Sequence, residues 1–157
     1  MKPNHAQALN GLQTESNFAN FIRSLGFNPH KVGSAYDIYH HFDLNISADV
    51  EIKGRKAMSR GSELQDDYHW IELQGVRDDG WLYNSHADVI AFETNDTWIM
   101  VRPSDLIQYT QRFVEHESVE RPQEAIHKIY TRRNRNDIIT LVPTSDLRSI
   151  GWEVKKK

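Results

Sequence analysis

A chain of 157 residues can bury one core of ordinary size, and its formal net charge of -3 argues against coating nucleic acid through bulk positive charge. The sequence contains no cysteine, which removes disulfides, thiolate catalysis and thiolate metal sites together. No apolar run is long enough to cross a membrane, and MKPNHAQALNG lacks the apolar stretch of a signal peptide, so one soluble, cytoplasmic domain over residues 1–157 is expected.

Phe18, Ala19, Ile22 and Leu25 recur at helical spacing, and Gly26 follows them, which predicts a helix over Thr14 to Leu25. Glu15 falls in the first turn of that helix, where the dipole favours an acid, at the edge of the apolar face. From Tyr36 to Lys53 the period changes to two, with a break at Asp43-Leu44-Asn45, and this reads as a β-hairpin. Pairing Phe42 with Ile46 puts Ile38, Val50 and Ile52 on an apolar face. It gathers Asp37, Asp49, Glu51 and Lys53 on the other, with Asp37 opposite Glu51. Tyr68 to Gln74 reads as a third strand, Ala87 to Glu93 as a fourth and Thr97 to Arg102 as a fifth, with Gly75 to Asn84 as a loop or short ribbon. Pro103-Ser104-Asp105 opens a helix, and Val142-Pro-Thr-Ser-Asp-Leu147 echoes Val101-Arg-Pro-Ser-Asp-Leu106 as a second strand running into a capped helix. Glu115 to Gln123 reads as a charged connector, and Pro122 to Tyr130 as a further helix.

The polar face of the hairpin suits phosphodiester hydrolysis, which needs an activated water and charge neutralisation at phosphorus. Magnesium prefers oxygen ligands and is usually held by only one or two protein carboxylates. Asp37 and Glu51 supply that set, with the main-chain carbonyl of Ile52 beside them, and Lys53 on the same face can orient the attacking water. Asp43 and Asp49 compete with Asp37 as the partner of Glu51. Basic residues cluster at Lys53, Arg55, Lys56 and Arg60, and again from Lys128 to Arg135. Arg55, Lys56 and Arg60 are the expected phosphate contacts, with Arg132, Arg133 and Arg135 as the alternative path. Trp81, in a loop near Arg77, is the tryptophan placed to touch a substrate. The adjacent His40 and His41 point to opposite faces of a strand and make no two-histidine site.

A helix with an early acid, then GSAYDIYH, VEIKGRK and YHWIELQ in that order, resembles the catalytic core of the PD-(D/E)XK nucleases, the restriction-endonuclease-like superfamily. IELQ, a GW-containing loop and HADVIAFE are similar to small phage nucleases, and the resemblance extends to Holliday-junction resolvase-like proteins. It covers about residues 14–102 and leaves 103–157 as a helical and strand extension. The resemblance implies an α/β fold with a restriction-endonuclease-like core, a central mixed sheet of about five strands flanked by helices. It implies Asp37 and Glu51 as metal ligands, Lys53 as the catalytic lysine and Glu15 as an auxiliary acid. Tyr36 stands where the family often has proline. The implied activity is Mg2+-dependent endonucleolytic cleavage of DNA, with Mn2+ able to substitute, on branched or structured substrates. Resolvase-like action would require a homodimer. The alternative is a nuclease-fold protein without turnover that binds nucleic acid or another protein.

Overall fold

The computed structural model describes residues 5–33 and 44–156, with side chains from Leu12 onward in the first helix. The chain divides into two compact units, Met1–Ala48 and Asp49–Lys157. Asp37, Asp43, His40, His41 and the expected arm Tyr36 to Phe42 lie outside the described residues.

In the first unit, helix α1 spans His5–Ser24. It begins earlier than the apolar period predicts, because residues 5–13 contain good helix formers such as Ala6, Gln7 and Leu9 without an apolar stripe. Its end is as the sequence predicts. Gly26 takes a φ of 90°, and Phe27 N–H donates to the Ile22 carbonyl at 3.3 Å, closing the last turn. Strand β1 (Asn28–Lys31) then pairs antiparallel with β2 (Leu44–Ser47), with Ile46 opposite Pro29.

The strand expected to continue to Lys53 is therefore broken at Ala48 and Asp49. Its second half, β3 (Val50–Lys53), belongs to the second unit and runs parallel to β7 (Val89–Glu93). This register places Glu51 beside Ile90 and Lys53 beside Phe92. The half-buried positions of β3 are thus the charged ones. Val50 and Ile52, expected in the core, are 41% and 65% exposed. The alternation does mark a strand at Val50–Lys53, but the neighbouring strand decides which face is inward, and Glu51 and its partner Ile90 lie far apart in sequence.

β7 pairs antiparallel with β8 (Thr97–Val101), and β8 with β12 (Trp152–Lys155), so one four-stranded sheet runs β12-β8-β7-β3. A second four-stranded sheet runs β6-β11-β10-β9, formed by Tyr68–Gln74, Ile138–Pro143, Lys128–Thr131 and Glu115–Val119. A small ladder joins β4 (Lys56–Ala57) to β5 (Leu64–Gln65). The described residues thus form a mixed α/β structure with several sheets of mixed strand direction, where one sheet of about five strands was expected. Tyr68–Gln74 is the strand that departs from that sheet, because it pairs with β11 instead. Residues expected to form a connector and a helix, Glu115 to Tyr130, contain β9, a single 3-10 turn at Pro122–Glu124 and β10.

Three further helices complete the second unit: α2 (Trp81–Asn84), α3 (Pro103–Phe113) and α4 (Thr144–Ile150). Both PSDL-like segments do run from a strand into a helix, and their leucines, Leu106 and Leu147, are fully buried. They join Ile71 and Val142 of one sheet, and Ile90, Phe92, Ile99 and Val101 of the other, in one apolar cluster. No described helix is long and apolar enough to cross a membrane.

Candidate active site

β3 ends the sheet beside a groove of about 970 Å3, and Lys53 lines it. Glu51 and Lys53, two residues apart on one face of the strand, form an ion pair and hydrogen bond. Lys53 Nζ also lies 3.9 Å from the centroid of the Trp81 ring, a cation–π contact. Ser85, which caps the C-terminal end of α2, hydrogen-bonds the Glu51 carboxylate. One helical turn therefore holds both members of the pair, Trp81 from its start and Ser85 from its end. Burial pushes the Glu51 carboxyl up, but hydrogen bonds from Lys53 and Ser85 and the charge of Lys53 outweigh it. The carboxyl is held below its ordinary range, and Glu51 is ionised at neutral pH.

Gly80 explains how α2 comes so close to β6. A Cβ at this position would collide with the main chain of Glu72 and Leu73, so only glycine lets the turn approach the strand. The Trp81 N–H then donates to Glu72 Oε1 at 3.3 Å. Glu72 lines the groove with Trp70 from the same face of β6, and Tyr130 of β10 joins them. Glu72 and Tyr130 are residues the sequence reading did not select. Glu72 lies in the IELQ segment it did single out.

Among the described residues, six basic ones line the groove: Lys53, Lys56, Arg60, Arg132, Arg133 and Arg135. The two basic clusters, weighed as alternatives in the sequence, contribute to one surface. Arg60 sits in a turn made by Ser59, Gly61 and Ser62, where Gly61 has a φ of 83° and Ser62 N–H donates to the Ser59 carbonyl at 3.2 Å. Arg133 and Arg135 flank Asn134, whose φ of 62° is a left-handed conformation that asparagine tolerates. Arg132 is pinned by Asp137, which is fully buried, with its Nε 2.9 Å from Oδ2. Arg55, expected with Lys56 and Arg60, is placed differently. Its Nε bonds Asp66 Oδ1 at 2.6 Å, and it does not line the groove.

Of the remaining expected site residues, Glu15 belongs to the first unit and is ion-paired with Lys31 at 2.8 Å. Ile52, whose main-chain carbonyl was the expected further ligand, is among the residues lining the groove. Asp49 precedes β3 and is exposed, its main-chain N–H bonded to Asp88 Oδ2 at 2.9 Å. Trp81, expected in a loop near Arg77, instead opens α2 and lines the groove, whereas Arg77 is exposed and not among the lining residues. Among the described residues no group of three or more acidic or histidine side chains could hold a metal ion. Glu51 nevertheless fits one part of a magnesium site, as a single ionised, accessible carboxylate of the kind such sites use sparingly. Comparison with protein-family models, with curated proteins and with solved structures finds no match.

Proposed function

We propose that this chain is a metal-dependent phosphodiesterase that cleaves nucleic acid, with DNA as the expected substrate, and that Glu51 and Lys53 are its catalytic pair. One observation carries the reading: Lys53, ion-paired with Glu51, lines a groove that among the described residues holds five further basic residues and a single carboxylate, Glu72, in a chain of net charge -3. Such a concentration of cations on one surface fits a polyanion, and the arginines suit phosphate oxygens through their planar forks.

Glu51 is the described residue that would hold magnesium, which when bound would supply Lewis acidity at the phosphate, and Asp37, the expected second carboxylate, lies outside the described residues. Lys53 does the rest at the scissile group. Its ammonium, located by Glu51 and the Trp81 face, donates to a phosphate oxygen or to the attacking water as charge develops. Lys56, Arg60 and the Arg132–Arg135 turn grip the flanking phosphates and set the register of the strand.

A reading without turnover keeps some support from the same geometry, because Lys53 is already engaged by both Glu51 and Trp81. Incubation of labelled DNA and RNA with Mg2+, with Mn2+ and with chelator decides between them. Metal-dependent cleavage that disappears in Lys53→Ala is the expected result. Binding without cleavage under every metal condition would leave the non-catalytic reading in its place.

A further inference from the structure

We infer that the groove takes single-stranded nucleic acid, with its bases stacked on the aromatic face of the second sheet. The inference deepens the proposed function and rests on its assignment of the groove to nucleic acid. In the β6-β11-β10 ladder, Glu72 and Tyr130 both pair with Ile139. They therefore share one face, and Trp70, two residues before Glu72 on β6, shares it too. The rings of Trp70 and Tyr130 are 5.8 Å apart and inclined at 36°, and both are half-buried where they line the groove. Trp70 is fixed by a hydrogen bond from its Nε1 to the Ala57 carbonyl at 3.2 Å, which ties the aromatic floor to the segment carrying Lys56 and Arg60.

A duplex offers phosphates to a basic groove but keeps its base faces stacked inside, so half-buried aromatic rings gain nothing from it. A single strand presents both. Aromatic side chains on an open sheet face, flanked by cations that follow the backbone, are the arrangement by which single strands are held with little dependence on sequence. A lining made only for duplex phosphates would need the cations and not the rings.

The test is binding in chelator, where no turnover occurs, read by the anisotropy of labelled oligothymidylate, oligouridylate and a blunt DNA duplex of equal length at one ionic strength. At least one of the two single strands is expected to bind about tenfold or more tighter than the duplex, and the comparison between them distinguishes DNA from RNA. Single-strand binding should also quench tryptophan emission. Tyr130→Ala should lose about fivefold or more in single-strand affinity with little change for duplex, and Tyr130→Phe should restore it. If Tyr130→Ala fails to fold, the wild-type comparison and the tryptophan quench decide alone. Duplex binding as tight as the tighter-bound of the two single strands, or unaltered single-strand binding by a folded Tyr130→Ala, would overturn the inference while leaving metal-dependent duplex cleavage intact. Tight single-strand binding with no cleavage under Mg2+ or Mn2+ would instead overturn the proposed function and leave this inference standing. Absence of binding to any strand overturns both.

Discussion

At the scale of single residues, Lys53 has two partners and one proposed task, which makes it the sharpest test. Lys53→Ala removes the ammonium but leaves the Glu51 carboxylate and the other five cations of the groove, so nucleic-acid binding should change only slightly. Turnover should fall by about a hundredfold or more, the scale on which a positioned proton donor acts. Equal losses in binding and turnover, measured as KM and kcat, would make Lys53 a grip residue instead. His69 offers a test that is independent of catalysis. Burial pulls its pKa down to about 4, with Asp66 opposing the effect and Arg148 adding to it, and its Nε2 has no hydrogen-bond partner among the described residues. The folded chain therefore keeps His69 neutral while the unfolded chain protonates it near pH 6.5. The contribution of His69 to stability is therefore full above about pH 6.5 and lost as pH falls to about 4, a change of about 3 kcal/mol. Denaturant midpoints across that window should show the fall in wild type and a flatter profile in His69→Gln. Parallel profiles would assign the acid sensitivity to other groups.

At the scale of elements, the site depends on a helix of one turn. Gly80→Ala forces a methyl group into the main chain of Glu72 and Leu73, so α2 must move away from β6. Overpacking of this kind costs about 1–3 kcal/mol. Because Trp81 and Ser85 hold Lys53 and Glu51, turnover should drop together with the melting temperature. Exposed substitutions of comparable cost in α3, such as Gln108→Gly or Gln111→Gly, should lower only the melting temperature. A Gly80→Ala variant with full turnover would show that α2 does not hold the pair. The same element shows what the sequence could and could not reveal. YHWIELQ announces β6 through its alternation, and Pro103 and the PSDL echo announce two helix starts, because these signals are local. The Glu51–Lys53 pair was legible for the same reason, as two residues on one strand face. The inversion of β3, with Val50 and Ile52 outward, follows from parallel pairing with β7, and no local pattern encodes that partner. Likewise β10 and β11 bring Tyr130 and the Arg132 turn beside Trp70, a contact that depends on strand order rather than on any motif. The charged run Glu115 to Val119 read as a connector because its exposed pattern lacks an apolar face, although it pairs as an edge strand.

At the scale of the whole molecule, the proposed polyanion binding by a chain of net charge -3 depends on where its cations gather, and the two basic clusters turn that into a quantitative test. Each phosphate contact on a single strand contributes about 0.7 to the slope of log affinity against log salt. Replacing Arg133 and Arg135 by Ala should therefore flatten that slope by about 1.4, and replacing Lys56 and Arg60 should do the same. If both pairs line one path, the fourfold variant should lose about twice as much as either pair. Arg132 is left in place deliberately. Its guanidinium neutralises the fully buried Asp137, and removing it would leave an unpaired buried charge costing about 3–5 kcal/mol, confusing binding with unfolding. Arg55→Ala serves as the contrast, since its guanidinium is spent on Asp66 and should barely alter the slope. A steep slope that survives the fourfold variant would remove the groove from the phosphate path. A slope sensitive to Arg55 and not to Arg133 and Arg135 would return that path to the single cluster that the sequence first suggested.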